Sequence, residues 1–137
     1  MEAVAIRRRL VLVLPAAFLA DLATSLNNLS NRFLNLGRMP EALAAIEEAV
    51  ALRRRLAAER PDTFSADLAT SLGNKALVEV GGSPMQAVGA AAEALATFVP
   101  LSYRFPAVFA DKCREVREVY LKACGAANVA PDPTLLE

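Results

Sequence analysis

The nine residues Glu2 to Leu10, Glu-Ala-Val-Ala-Ile-Arg-Arg-Arg-Leu, return 46 positions later at Glu48 to Leu56 with a single change, Ile6 becoming Leu52. A second pair stands at the same offset: Pro15, Phe18 and Ala20 to Leu26 against Pro61, Phe64 and Ala66 to Leu72. A period of this order leaves few architectures open. Each unit is too short to bury an apolar face by itself, so units must stack on their neighbours into an elongated array. Such arrays present surfaces more readily than they enclose catalytic pockets.

Inside the period the pattern is helical. From Ala17 to Leu36 the large apolar residues Phe18, Leu22, Leu26, Leu29, Phe33 and Leu36 recur at intervals of three and four, the spacing of one helix face. Gly37 ends that run. Pro40 then stands near the start of a second helix, where a missing N–H costs little. Ala42, Ile46, Ala49 and Val50 give this second helix a narrow face of small residues, and it should stop before Pro61. The next unit repeats the plan, with a helix from about Asp62 to Val80, a break at Gly81, Gly82 and Ser83, and an Ala-rich helix from about Pro84 to Phe98. A break around Pro100 to Pro106 is expected next, then one further helix marked by Phe109, Cys113, Val116, Tyr120 and Ala123. The expected organisation is a half repeat over 2–14, repeats over 15–60 and 61–105, a terminal helix over 106–125 and a polar tail over 126–137.

Composition narrows the functions open to such a chain. Hydrophobic residues make up 55% of the 137, chiefly Ala and Leu, and there is no Trp; this suits helices packed through small side chains and excludes a disordered tail. Fifteen basic and fifteen acidic residues cancel, so no net field steers the protein towards nucleic acid or anionic lipid. The absence of His removes the commonest general base and metal ligand. No phosphate-cradling glycine loop, no ligand spacing for a metal and no nucleophile beside a base is apparent, so neither catalysis nor a cofactor is expected. Cys113 and Cys124 fall in one expected helix about 16 Å apart, too far for a mutual disulfide. Two unpaired buried thiols suit a reducing cytoplasm.

Arg7 to Arg9 followed by the apolar Leu10 to Ala20 has the outline of a secretory signal. The repeat accounts for it better, because Arg53 to Arg55 and Pro61 to Leu72 copy the same residues in mid-chain. Only Val11, Leu12, Val13 and Leu14 depart from their counterparts Ala57 to Arg60. Pro15 and Asp21 interrupt the only run approaching the roughly 18 apolar residues that a membrane span needs.

The first full unit reads Leu26-x2-Leu29-Ser30-x2-Phe33, then Gly37, Ala42-x3-Ile46 and Ala49. This resembles the tetratricopeptide repeat, W-x2-L-G-x2-Y followed by A-x3-F. Ser30, Ala42 and Ala49 are small where helices must approach closely, and Leu29, Phe33 and Ile46 fill the space between. The second unit keeps Leu72, Ala76, Gly82, Ala87 and Ala94 but carries Lys75 and Glu79 in place of Leu29 and Phe33. The period exceeds the usual length of about 34, and in this the chain is similar to the extended repeats of kinesin light chain type and to long bacterial arrays found beside signalling domains. The resemblance implies an all-α, right-handed superhelical solenoid of antiparallel helix hairpins, bacterial in character, acting as a protein-interaction module or scaffold.

Thr24, Asn28, Asn31 and Asn35 share one arc of the first helix, away from the stripe of Leu22, Leu26 and Phe33. Asn and Thr are poor helix formers, and an amide offers both a donor and acceptors, so such a row can hold the main chain of a peptide. The resemblance implies a concave groove lined by first helices, which places these residues in it, with Thr70, Asn74 and Lys75 extending the ridge one unit on. An alternative is self-association through Val11, Leu12, Val13 and Leu14, whose half repeat lacks a first helix to pack against, either as a fragment of a longer array or covered by a second copy. The Arg triplets offer a third reading, phosphate or RNA-backbone binding. Three successive residues point in three directions around a helix, however, and acidic residues lie nearby, so solvated stems with local ion pairs fit them better.

Overall fold

The computed structural model describes residues 15–137. These form five α-helices, α1 (Ala16–Asn35), α2 (Met39–Glu59), α3 (Pro61–Glu79), α4 (Pro84–Arg104) and α5 (Pro106–Ala127), followed by a 3-10 turn at Pro133–Leu135. Each helix packs antiparallel on the next, and α1, α3 and α5 also touch in turn along one side. The molecule is therefore an all-α stack of hairpins with a seam of first helices.

Punctuation in the sequence sets the helix ends. Gly37, at φ 74°, donates to Leu34 O, and Arg38 N donates to Phe33 O at 2.8 Å; this left-handed closure satisfies the last carbonyls of α1. Proline stands in the first turn of α2, α3, α4 and α5, where its fixed φ is already helical. One residue, Arg60, separates α2 from α3, and one, Phe105, separates α4 from α5. Both hold nearly the same backbone angles, φ −137° and ψ 77° against φ −133° and ψ 68°.

Two apolar clusters make up the core. One lies between α1 and α2, with Leu22, Leu26, Ile46, Leu52 and Leu56 joined by Val78 of α3. The other joins α3, α4 and α5 through Leu72, Leu95, Phe98, Cys113 and Tyr120, with Val50 reaching in from α2. Small residues let the axes approach as the sequence requires: Ala42, Ala49, Ala87 and Ala94 are fully buried, and Ser30 Oγ donates to Ala42 O at 2.7 Å. Cys113 and Cys124 are buried free thiols within α5. Two members of the expected α1 stripe face outwards: Leu36, 70% exposed beyond the helix end, and Phe18.

Two departures from the sequence reading have physical causes. Pro100 does not break α4, which continues to Arg104. Pro100 and Ala96 both lie on the exposed face, so water can take up the Ala96 carbonyl left unpaired four residues earlier, and the usual interior cost of about 3 kcal/mol is reduced. The segment read as a polar tail instead folds back. Asn128 at φ 58° turns the chain, Val129 N donates to Cys124 O, and Asp132 N donates to Tyr120 Oη at 2.8 Å. Leu135 and Leu136 then pack against the second cluster. No helix among the described residues is long and apolar enough to cross a membrane.

Candidate functional site

One repeat position marks how the seam of first helices changes from one step to the next. On α1 that position is Asn27, which is buried. Its Oδ1 accepts from Ser71 Oγ and from Asn74 Nδ2 of α3, each at 3.1 Å. On α3 the same position is Gly73, where a Cβ would stand 3.0 Å from Cγ2 of Val116 on α5. The step from α1 to α3 is thus closed by hydrogen bonds, and the step from α3 to α5 by close contact of backbone and side chain.

Arg53 anchors the polar step. It is buried, and its guanidinium reaches from α2 into the seam, donating through Nη1 to Ser71 Oγ at 2.8 Å and Asp67 O at 3.2 Å, and through Nη2 to Thr24 Oγ1 at 3.2 Å. Burial lowers its pKa, and the nearby Asp67 carboxylate opposes that shift. The three arginines of this triplet therefore have separate fates. Arg53 is sequestered, Arg54 pairs with Glu93 of α4 at 2.6 Å, and Arg55 is exposed, so no phosphate-binding cluster is assembled from them.

Between α3 and α5 lies a groove of about 160 Å³. Thr70, Asn74 and Leu77 line it from α3, Lys112, Glu115 and Val119 from α5, with Gly73, Val116 and Phe98 below. Two of the residues singled out from the sequence, Thr70 and Asn74, are therefore in this groove. Asn28 and Asn35 are exposed on α1 and Asn31 is half-buried; among the described residues their side chains make no hydrogen bond to protein. Thr24 is tied inwards, donating to Ala20 O and accepting from Arg53.

Lys75 stands elsewhere. It lines a groove on the α2 side with Glu47, Arg54 and Arg55, and its Nζ lies 3.4 Å from Glu79 Oε2. Glu79 is 3% exposed, and among the described residues neither carboxylate oxygen has a hydrogen-bond partner. Burial raises its pKa most, Lys75 lowers it and Glu47 raises it further. Where the first unit packs Leu29 and Phe33, the second has placed an ion pair. Val11 to Leu14 lie outside the described residues. Among the described residues no group of three or more metal-ligating side chains comes together.

Asn27, Arg53 and Gly73 were not singled out from the sequence. The available signal was the repeat itself: Arg7 and Arg53 match, Ser25 and Ser71 match, and the Asn27 to Gly73 change falls on the arc between the core stripe and the amide ridge. No curated protein and no solved structure matches the chain. Residues 22–62, spanning most of α1 and the whole of α2, match the family model for the tetratricopeptide repeat, a unit of protein–protein interaction, in its kinesin light chain form.

Proposed function

We propose that this chain is a protein-interaction module that receives an extended peptide or a partner helix along the seam of α1, α3 and α5. The observation that carries this reading is the groove between α3 and α5, in which Thr70 and Asn74 supply polar contacts beside the apolar Leu77 and Val119. The amides of Asn28, Asn31 and Asn35 extend the same side across α1, and each retains donors and acceptors for a main chain. Lys112 and Glu115 on the opposite wall give the groove both signs of charge, which sets the register of a bound segment more than its affinity. Repeats of this type are typically non-catalytic. We place the protein among interaction scaffolds, with a protein or peptide partner and no cofactor.

The test is selection of peptides from a random display library on the full chain, followed by binding to Leu77→Arg and Asn28→Ala/Asn31→Ala variants. Leu77 and Asn28 are exposed and Asn31 is only half-buried, so the fold is retained. Loss of at least tenfold in affinity for the selected peptides supports the reading. Peptides that bind both variants as well as the parent place the interaction surface elsewhere.

A further inference from the structure

The two steps of the seam use the same pair of repeat positions with different chemistry. Asn27 and Gly73 each stand twelve residues after the proline that opens their unit, Pro15 and Pro61, while Ser71 and Val116 each stand ten after Pro61 and Pro106. The polar pair, Asn27 and Ser71, closes the first step with a hydrogen bond of 3.1 Å. The apolar pair, Gly73 and Val116, forms the floor of the groove between α3 and α5, with the buried Phe98 beneath. At about 160 Å³ this groove is smaller than the roughly 300–1,000 Å³ of small-molecule sites, and it has room for one side chain.

The two walls differ in what they leave open. On α3, Thr70 Oγ1 donates to Ala66 O at 3.0 Å and Asn74 Nδ2 donates to Asn27 Oδ1 at 3.1 Å. Each therefore presents an oxygen acceptor, suited to the N–H groups of a main chain. On α5, Glu115 and Val119 take the repeat positions of Thr70 and Asn74, and Lys112 takes that of Asp67. Asp111 and Arg114 pair at 2.6 Å across one turn of this helix. Lys112 and Glu115 have the same spacing, yet both are exposed and form no ion pair among the described residues. Resting on the peptide-groove reading, we infer that the partner segment carries one large apolar side chain that lodges over Gly73 and Val116, beside an acidic residue that meets Lys112 and a basic residue that meets Glu115. Lys112 lies four positions before Val116, about 6 Å along α5, which an extended chain covers in about two residues. The acid and the base therefore stand within about three residues of the anchor. A uniformly acidic or uniformly basic segment would meet one repulsive charge on this wall, so the pair selects a segment of mixed sign. Asn27 fills the corresponding place between α1 and α3, which assigns the anchor to the second step alone.

Peptides selected by display on the full chain test the inference. Each is synthesised in three forms: as selected, with its apolar residue changed to alanine, and with its acidic and basic residues exchanged. Affinities are measured for the parent, for Leu77→Arg and for the double variant Lys112→Glu/Glu115→Lys, whose two sites are exposed. The alanine form should bind the parent at least tenfold more weakly, the scale of one buried apolar side chain. The charge-exchanged form should lose about fivefold on the parent and regain it on the double variant, a recovery that damage to the fold cannot produce. Peptides that are lost on Leu77→Arg but lack either dependence overturn this inference and leave the groove reading standing. Peptides indifferent to Leu77→Arg, or a selection that yields none, overturn both.

Discussion

Ser71 Oγ lies 2.8 Å from Arg53 Nη1 and 3.1 Å from Asn27 Oδ1, so one hydroxyl joins α2 to α1 through α3. Arg53→Ala leaves this hydroxyl and the Asp67 carbonyl without their cationic donor. The expected loss is about 2–4 kcal/mol in urea unfolding, as for an orphaned buried partner. Arg54→Ala and Arg55→Ala, on the same triplet, are expected to stay within about 0.5 kcal/mol of the parent. Equal losses at all three positions contradict the separate roles assigned to them.

Gly73 is required by the approach of Val116. Replacing a mid-helix glycine with alanine ordinarily gains up to about 1 kcal/mol, yet here the added carbon meets a side chain at 3.0 Å. We expect Gly73→Ala to lower stability by about 1 kcal/mol, since overpacking typically costs 1–3 kcal/mol. The penalty should shrink when Val116→Ala is also present, giving a non-additive cycle. A simple gain in stability from Gly73→Ala shows that α5 can retreat without cost.

Glu79 gives the fold a pH dependence of definite sign. Its folded-state pKa is raised, chiefly by burial, so the stability linked to it is fully present below the ordinary carboxylate range and is lost as pH rises through the raised value. The stability of the parent relative to Glu79→Gln should therefore fall as pH rises above the ordinary carboxylate range. Titration of unfolding midpoints for both proteins checks this, and a rising difference contradicts it.

The same pair predicts a stabilised variant. Lys75→Leu alone strands the buried carboxylate and should destabilise, whereas Lys75→Leu with Glu79→Leu restores the apolar character of Leu29 and Phe33. Replacing a buried ion pair with packed apolar residues is commonly neutral or stabilising by about 1–4 kcal/mol. Thermal unfolding of the two variants separates the outcomes.

Tyr120→Phe removes the acceptor of the Asp132 N–H, and the expected cost is about 1 kcal/mol. Amide exchange should speed up at Asp132 and at the neighbouring 3-10 turn while α1 and α2 are unchanged. Unaltered exchange there shows that Leu135 and Leu136 hold the segment without the tyrosine.

The helices were legible in the sequence because their signals are local. Gly37, the first-turn prolines and the spacing of Leu22, Leu26 and Ile46 each act within a few residues, and Ser30 with Ala42 announced a close crossing. Pro100 misled because its effect depends on which side of α4 faces water, and the fold of the last segment depends on Tyr120, twelve residues before its partner Asp132. At the site, Thr70 and Asn74 were legible as repeated polar residues. Arg53 was not, since a guanidinium in a charged triplet reads as solvated until α1 and α3 are seen to converge on it. Lys75 was grouped with the ridge by its place beside Asn74, but neighbours in a helix stand about 100° apart, and that rotation sends it to the α2 side.

The single-residue joints at Arg60 and Phe105 bear on how the groove can move. A joint of one residue, fixed near φ −135° on both occasions, has no slack to swing as a hinge. Widening between α3 and α5 then falls on the longer turn at residues 80–83 and on small slips along packed faces, opposed by contacts such as Gly73 on Val116. In mechanical terms the described array is a leaf spring. A bound segment would be gripped by elastic recoil along its length, and stiffening any one leaf would be felt at the others.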